Sequence, residues 1–238
     1  MLTRASLQPR DRLCLALDVA DVDTARALLD QVAAHVGIVK IGYRLGYAGG
    51  LDLINELAAA GTKVFADFKL HDIDNTVADG VASLSARGAA LMTTHAYPKT
   101  MRAAVAARPE HGPVLLGVTV LTSMDDADLA EAGYAMGVSE LVEKRARDAA
   151  VAGMGGLVCS AAEAESLRAI LPDTMLLVTP GIRPAGAERG DQKRVMTPER
   201  AIRAGADILV IGRPILAADD PAEAARAILG EIETALAG

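Results

Sequence analysis

Short apolar runs alternate along this chain with Ala-rich stretches whose apolar residues recur at helical spacing. The runs are LCLALDV (13–19), IVKIG (38–42), KVFADFKL (63–70), ALMTTHA (90–96), PVLLGVTVL (113–121), GLVCS (156–160), MLLVTPGI (175–182) and ILVIGRP (208–214). Near-continuous apolar runs of this length predict parallel strands buried on both faces. Between them, TARALLDQVAAHV, LINELAAAG, LVEKRARDAAVAG, AESLRAIL, PERAIRAGA and PAEAARAILGEI carry the amphipathic helical period, and several end in or near Gly, a favoured helix C-cap. Eight strand–helix units in 238 residues predict an α/β fold, a (β/α)8 or TIM barrel, as a single domain over 1–238. The competing architecture is an open doubly wound sheet. It usually has fewer strands at this length, and no GxGxxG follows the first strand. No linker or low-complexity run divides the chain.

In such a barrel the chemistry sits at the C-terminal ends of the strands. Polar residues fall there repeatedly: Asp18, Lys40, Asp67 and Lys69, His95, Thr122 and Ser123, Pro180 to Arg183, and Gly212 with Arg213. The densest stretch is FADFKLHDIDNT (65–76). Asp67 and Lys69 lie two apart, so a strand projects both to one side, and Asp72 follows on the loop. With Lys40 and Asp18 from neighbouring strands, two lysines would interleave with three aspartates. Carboxylate partners offset the burial of each ammonium and keep it charged, so the array can donate a proton from a fixed cation. The loops after strands 7 and 8 of a barrel commonly hold a phosphate, which Arg213 can grip with paired hydrogen bonds. Loop 183–195, RPAGAERGDQKRV, is long and polar as lids often are, with Gln192 near its far end.

Plainer readings compete at each position. Asp18 suits a cap on the first helix, Lys40 a snorkelling strand end, Asp67 to Asp72 a structural ion-pair network, and Arg213 an exposed turn. His71 and His95 read as hydrogen-bonding wall residues, and His35 and His111 as surface residues. The acidic Asp125, Asp126 and Asp128 read as the start of a short solvated helix.

Composition narrows the partners. Apolar residues make up 51% and charged residues 23%, ordinary for a globular chain with one large core. The net charge of −7 argues against a nucleic-acid or anionic-membrane binder but leaves room for a local basic pocket. Cys14 and Cys159 sit in apolar runs without ligand spacing, so they read as buried reduced thiols. The N-terminus is polar and no stretch approaches a membrane span, which points to the cytoplasm.

LALDV, VKIG, FADFKLHDIDNT, VTVLTSM, VTPGIRP, GDQKRV and ADILVIGRPI together resemble, in order and over nearly the whole chain, the bacterial orotidine 5′-phosphate decarboxylase family. DxKxxD alone is shared by a wider suprafamily; its combination with KxHDIxNT, LTS, PGIRP, DQxR and IGRPI is specific. Asp74 departs from the family's usual Pro, which bears on loop stiffness. The resemblance implies decarboxylation of orotidine 5′-monophosphate (OMP) to UMP and CO2, the last step of UMP biosynthesis, with no metal and no organic cofactor. It implies Lys69 as the acid that protonates C6, Asp67 beside the departing carboxylate, and Lys40 and Asp72 completing the charge array. Asp18 and Lys40 would hold the ribose, and Thr122 and Ser123 would meet the pyrimidine. Arg183, Gln192, Gly212 and Arg213 would bind the phosphate and close loop 7, with Pro180 also among the substrate-binding residues. A homodimer follows, with Asp72 and Thr76 reaching the partner's site. Two rivals stand beside this expectation: a Mg2+-dependent sugar-phosphate decarboxylase or hexulose-phosphate synthase, and a non-catalytic nucleotide-phosphate sensor.

Overall fold

In a computed structural model, which describes residues 2–184 and 196–237, eight parallel strands hydrogen-bond in sequence order and close into a barrel. They are β1 (Leu13–Ala16), β2 (Ile38–Gly42), β3 (Lys63–Leu70), β4 (Leu91–His95), β5 (Val114–Val118), β6 (Gly156–Val158), β7 (Leu176–Thr179) and β8 (Ile208–Ile211). The helices are α1 (Val22–Val32), α2 (Tyr43–Leu45), α3 (Leu51–Ala59), α4 (Asp74–Ala86), α5 (Pro98–Ala107), α6 (Asp126–Glu131), α7 (Val138–Ala152), α8 (Ala164–Ile170), α9 (Pro198–Arg203), α10 (Arg213–Leu216) and α11 (Pro221–Ala237). The (β/α)8 expectation is met.

Alternation along each strand builds two cores. Leu13, Leu15, Val39, Ile41, Val64 and Ala66 face outward against the helices. Cys14, Ile38, Phe65, Leu91, Leu116 and Val178 point inward and fill the barrel. Each such large side chain, fully buried, contributes about 1.5–3 kcal/mol. The inward parity then continues upward. Above Ile38 comes Lys40, and above Phe65 comes Asp67, with Lys40 in register beside Phe65 and Gly42 beside Asp67. The site is therefore the top layer of the same stack whose lower layers are apolar.

Five strands stop two or three residues before their apolar runs do: β1, β5, β6, β7 and β8. Apolar periodicity marks burial, whereas a strand ends where the ladder ends, and at the barrel mouth the chain leaves the ladder to line the cavity. Two full-length helices, α4 and α5, lie where no helical pattern had been singled out, as do the single turns α2 and α10. Gly80 interrupts the apolar stripe of α4 and lets that helix approach β3: a Cβ there would stand 3.2 Å from Leu70 Cδ1. Helix α5 opens with Pro98 in its first turn, which tolerates a missing N–H.

The barrel floor carries its own charges. Asp207, 1% exposed, accepts from Arg4 Nε at 2.9 Å, from Arg168 Nη2 and from the Leu177 backbone N–H at 2.8 Å. Arg12 adds a bond to the Asp207 carbonyl at 3.3 Å. Beside it Lys63 Nζ meets the buried Asp11 at 2.7 Å. Cys14 and Cys159 are buried, as expected, and are not joined to each other. No described helix is long and apolar enough to cross a membrane.

Candidate active site

The C-terminal mouth of the barrel opens into a cavity of ≈ 480 Å³. Asp18, Lys40, Asp67 and Lys69 line it from the β1–β3 side. Thr122 and Ser123 line it from the loop after β5, and Pro180, Arg183, Gly212 and Arg213 from β7 and β8. These ten were all expected from the sequence.

Four of the charges form one chain of contacts. Lys40 Nζ lies 3.1 Å from Asp18 Oδ1 and 3.5 Å from Asp67 Oδ2; Lys69 Nζ lies 2.9 Å from Asp67 Oδ1. Burial works against the Lys40 ammonium, but Asp67 and Asp18 outweigh it and hold its pKa above the ordinary lysine value. Burial likewise works against ionised Asp67, yet Lys40 and Lys69, with hydrogen bonds from Lys69 and Thr93, hold its pKa below the usual carboxylate value. Lys40 and Asp67 thus hold each other in their charged forms. The plainer readings of two members fall away. Lys40 is buried rather than snorkelling, and the first helix is capped by Asp21, which accepts from Thr24 N–H at 2.7 Å, leaving Asp18 for Lys40.

Lys69 has a φ of +44°, and no other described residue except glycine has a positive φ. A lysine in this region is strained, and such strain concentrates at functional sites. It coincides with an irregularity in the sheet: β3 and β4 pair at Ala66–Met92 and next at Leu70–Thr94. The register shift re-aims the segment between.

Several contributors escaped the sequence reading. Thr93, on β4, donates to Asp67 Oδ1 and accepts from the Lys69 backbone N–H, both at 2.9 Å. Arg44 lines the cavity and donates to the Asp18 carbonyl at 3.0 Å. Gly42 supplies space: a Cβ there would stand 3.1 Å from Lys40 Nζ. The inward parity of β4 was a usable signal for Thr93. For Gly42 the signal was a glycine directly after VKI, at a strand end where no turn is needed.

Other expected residues lie elsewhere. Asp72 is exposed, its Oδ1 accepting from the Ile73 N–H at 2.6 Å, and among the described residues it forms no ion pair. The expected array of two lysines and three aspartates therefore reduces, within one chain, to two and two. Loop geometry is the cause: the chain turns outward at His71, and the Asp72 and Thr76 side chains are both exposed. Gln192 and most of loop 183–195 lie outside the described residues. The base of that loop is fixed, with Ile182 bridged to Met196 and Arg183 N–H bonded to the Met196 carbonyl at 3.0 Å. Among the described residues His71 and His95 make ring-edge contacts: the His71 ring stands 4.4 Å from that of Tyr97 and 5.7 Å from that of His95. Burial, His71, Arg145 and Lys69 lower the His95 pKa. Asp74 occupies the first turn of α4, where the helix dipole favours an anion, with Lys99 Nζ at 3.6 Å. Asp125 caps α6, as the acidic run suggested.

Comparison with known proteins bears directly on this geometry. The model of the orotidine 5′-phosphate decarboxylase / HUMPS family matches residues 11–228. An orotidine 5′-phosphate decarboxylase of Rhodopseudomonas palustris (strain HaA2) is 60% identical over 234 residues, 98% of this chain and 100% of the relative. That of Methylobacterium sp. (strain 4-46) is 60% identical over 232 residues, covering 96% and 98%. The crystal structure of orotidine 5′-phosphate decarboxylase from Lactobacillus acidophilus superposes with a TM-score of 0.82 at 35% identity, covering 93% of this chain and 99% of that one.

Proposed function

The chain belongs to the orotidine 5′-phosphate decarboxylase family and is a carboxy-lyase, and from that premise we propose that Lys69 and its neighbours convert OMP to UMP and CO2 without a metal or organic cofactor. One observation carries the reading: the Lys69 ammonium stands 2.9 Å from a half-buried Asp67, on the wall of a cavity whose other side holds Arg183 and Arg213. The phosphate would sit against the arginines and the Gly212 backbone, the ribose against Asp18 and Lys40, and the pyrimidine against Thr122 and Ser123.

Breaking the C6–carboxylate bond leaves its electron pair at C6, where no adjacent π system absorbs it. A fixed ammonium stabilises such localised charge, and more strongly in a site closed to water. Lys69 Nζ then gives its proton to C6, forming UMP, and the resulting amine regains a proton from solvent. Asp67, ionised beside the departing carboxylate, holds the ammonium in place and opposes the ground-state anion. Phosphate contacts remote from C6 supply binding energy that orders the site.

The Mg2+-dependent reading meets an electrostatic obstacle. A divalent cation at Asp67 would face Lys40 and Lys69 at 3.5 and 2.9 Å from that carboxylate. Protein dialysed against EDTA should still bleach the ultraviolet absorbance of OMP and yield UMP. Loss of turnover restored by Mg2+ would transfer the assignment to the sugar-phosphate enzymes. Tight UMP binding with no turnover at all would favour the sensor.

Asp72 and Thr76 complete a partner's site in a homodimer, a reading supported by their exposure and by the exposed Ile73 between them. If so, Lys69→Ala and Asp72→Asn chains, each inactive, should regain about a quarter of wild-type activity on mixing, because half of the dimers then hold one intact site. No recovery after subunit exchange would place Asp72 in its own chain's site. The substrate and product are small molecules, with no nucleic acid or membrane surface involved, and the reaction belongs in the cytoplasm.

A further inference from the structure

Thr93 is fully buried on β4 and does not line the cavity, yet its hydroxyl touches both groups that would perform the reaction. It accepts the Lys69 backbone N–H at 2.9 Å and donates to Asp67 Oδ1 at 2.9 Å. The same Asp67 oxygen receives Lys69 Nζ at 2.9 Å. A hydroxyl has one hydrogen. Spending it on Asp67 turns the lone pairs toward Lys69, so the two bonds fix each other's direction.

The location explains why a side chain is needed. Between Ala66 and Leu70 the β3–β4 register is broken, and the Lys69 N–H goes to a side-chain hydroxyl on β4 instead of a backbone carbonyl. Lys69 is also the residue held at φ +44°. An N–H buried without a partner is costly, so a strained left-handed lysine is stable here because Thr93 satisfies it.

We propose that Thr93 is a positioning residue for decarboxylation, locking the Lys69 backbone and the Asp67 carboxylate in the one arrangement that aims the ammonium at C6. The proposal rests on Lys69 being the proton donor. Thr93 touches no substrate, so its loss should appear in turnover and not in binding.

The test compares Thr93→Val, nearly isosteric without the hydroxyl, with Thr93→Ser, which keeps it. With OMP, kcat of Thr93→Val should fall about 10- to 100-fold, the equivalent of leaving one or two buried polar groups unpaired in the reacting state. KM and UMP affinity should stay within about threefold of wild type, as should kcat of Thr93→Ser. A Thr93→Val enzyme with wild-type kcat, a rise in KM that matches the loss of kcat/KM, or equal damage from Ser and Val would each overturn the proposal. So would a Thr93→Val chain that does not fold, since Thr93 would then serve the barrel before the site. Wild-type protein is assayed first: if it leaves OMP intact the decarboxylase reading itself fails, whereas an active wild type with an unimpaired Val variant removes only the role of Thr93.

Discussion

The barrel buries charge at both ends, and the two ends do it differently. At the floor, Asp207 meets Arg4, Arg12 and Arg168 and takes the Leu177 N–H as well, so its carboxylate oxygens are saturated by rigid forks and backbone. At the mouth, among the described residues, Asp67 meets the lysines Lys40 and Lys69 and the Thr93 hydroxyl, and both lysines face the cavity. Guanidinium groups stay protonated at any accessible pH and spread their donors in a plane; an ammonium is a compact charge that can release its proton. The floor suits stapling, since Asp207 joins the N-terminal segment, α8 and β7. The mouth suits proton transfer. Burial and pairing alone do not separate structural from chemical clusters; the kind of cation and what it leaves unsatisfied do.

Two substitutions break the comparison most strongly. Lys69→Ala should lower kcat by about 10³-fold or more, as loss of both proton donor and electrostatic stabiliser. Its melting temperature should hardly change. Retention of a tenth of wild-type turnover in the OMP absorbance assay would end the role of Lys69. Asp207→Asn should do the reverse. Removing the charge that three arginines share takes the carboxylate from the largely buried Arg12 and Arg168, while Arg4 keeps Asp173, and should cost about 3 kcal/mol of stability, read from urea midpoints at constant m-value. The folded fraction should keep its kcat. Lost turnover with unchanged stability would show that the floor is coupled to the site.

How far these two clusters were legible in the sequence differs in the same way. The mouth was legible because its residues continue the inward parity of apolar strands: a Lys after IV and an Asp and Lys after KVFA stand out against their runs. Barrel order was legible for the same reason, but the ends of five strands were not, because burial continues past the ladder at the mouth. The floor was not, because Arg4, Arg12, Arg168 and Asp207 are far apart in sequence and each reads alone as an ordinary surface charge. Thr93 was missed because a threonine in ALMTTH is also simply a good strand residue. Asp72 is exposed and apart from its own chain's array, a point the spacing left open because it says nothing of where a loop turns once its strand has ended.

Gly42→Ala sharpens the comparison on a smaller scale. The added Cβ would stand 3.1 Å from Lys40 Nζ and 3.6 Å from Asp18 Oδ1. Backbone strain is not involved, because the φ of Gly42, −115°, is open to any residue. Pressure on the Lys40–Asp18–Asp67 chain should reduce kcat/KM by about 10-fold, around 1.4 kcal/mol, with stability changed by less than that. An unaffected enzyme would mean that the lysine has room to shift without consequence, and that the mouth is less constrained than its distances imply.

The smallest effect is the pH dependence of the mouth's own contribution to stability. Burial raises the Asp67 pKa and its lysines lower it by more, so the folded value lies below the ordinary one. A depressed carboxylate stabilises the fold fully above its unfolded pKa, about 3.9, and loses that stabilisation as pH falls through the folded value. For Lys40 burial is again outweighed, here by Asp67 and Asp18, and the folded value is raised. Its contribution is full below the unfolded lysine pKa, about 10.4, and is lost only as pH rises through the raised value. Between these limits Asp67 and Lys40 keep one charge state. The stability difference between wild type and Asp67→Asn, from urea unfolding, should therefore be flat from about pH 8 to about pH 5 and shrink toward pH 3. A difference that already changes between pH 8 and pH 6 would mean that a member of the array titrates near neutrality, and that the mouth holds its proton loosely. A flat one means that Asp67 and Lys40 hold their charges across the neutral range, and that the mouth's electrostatics are set by its geometry and not by the pH around it.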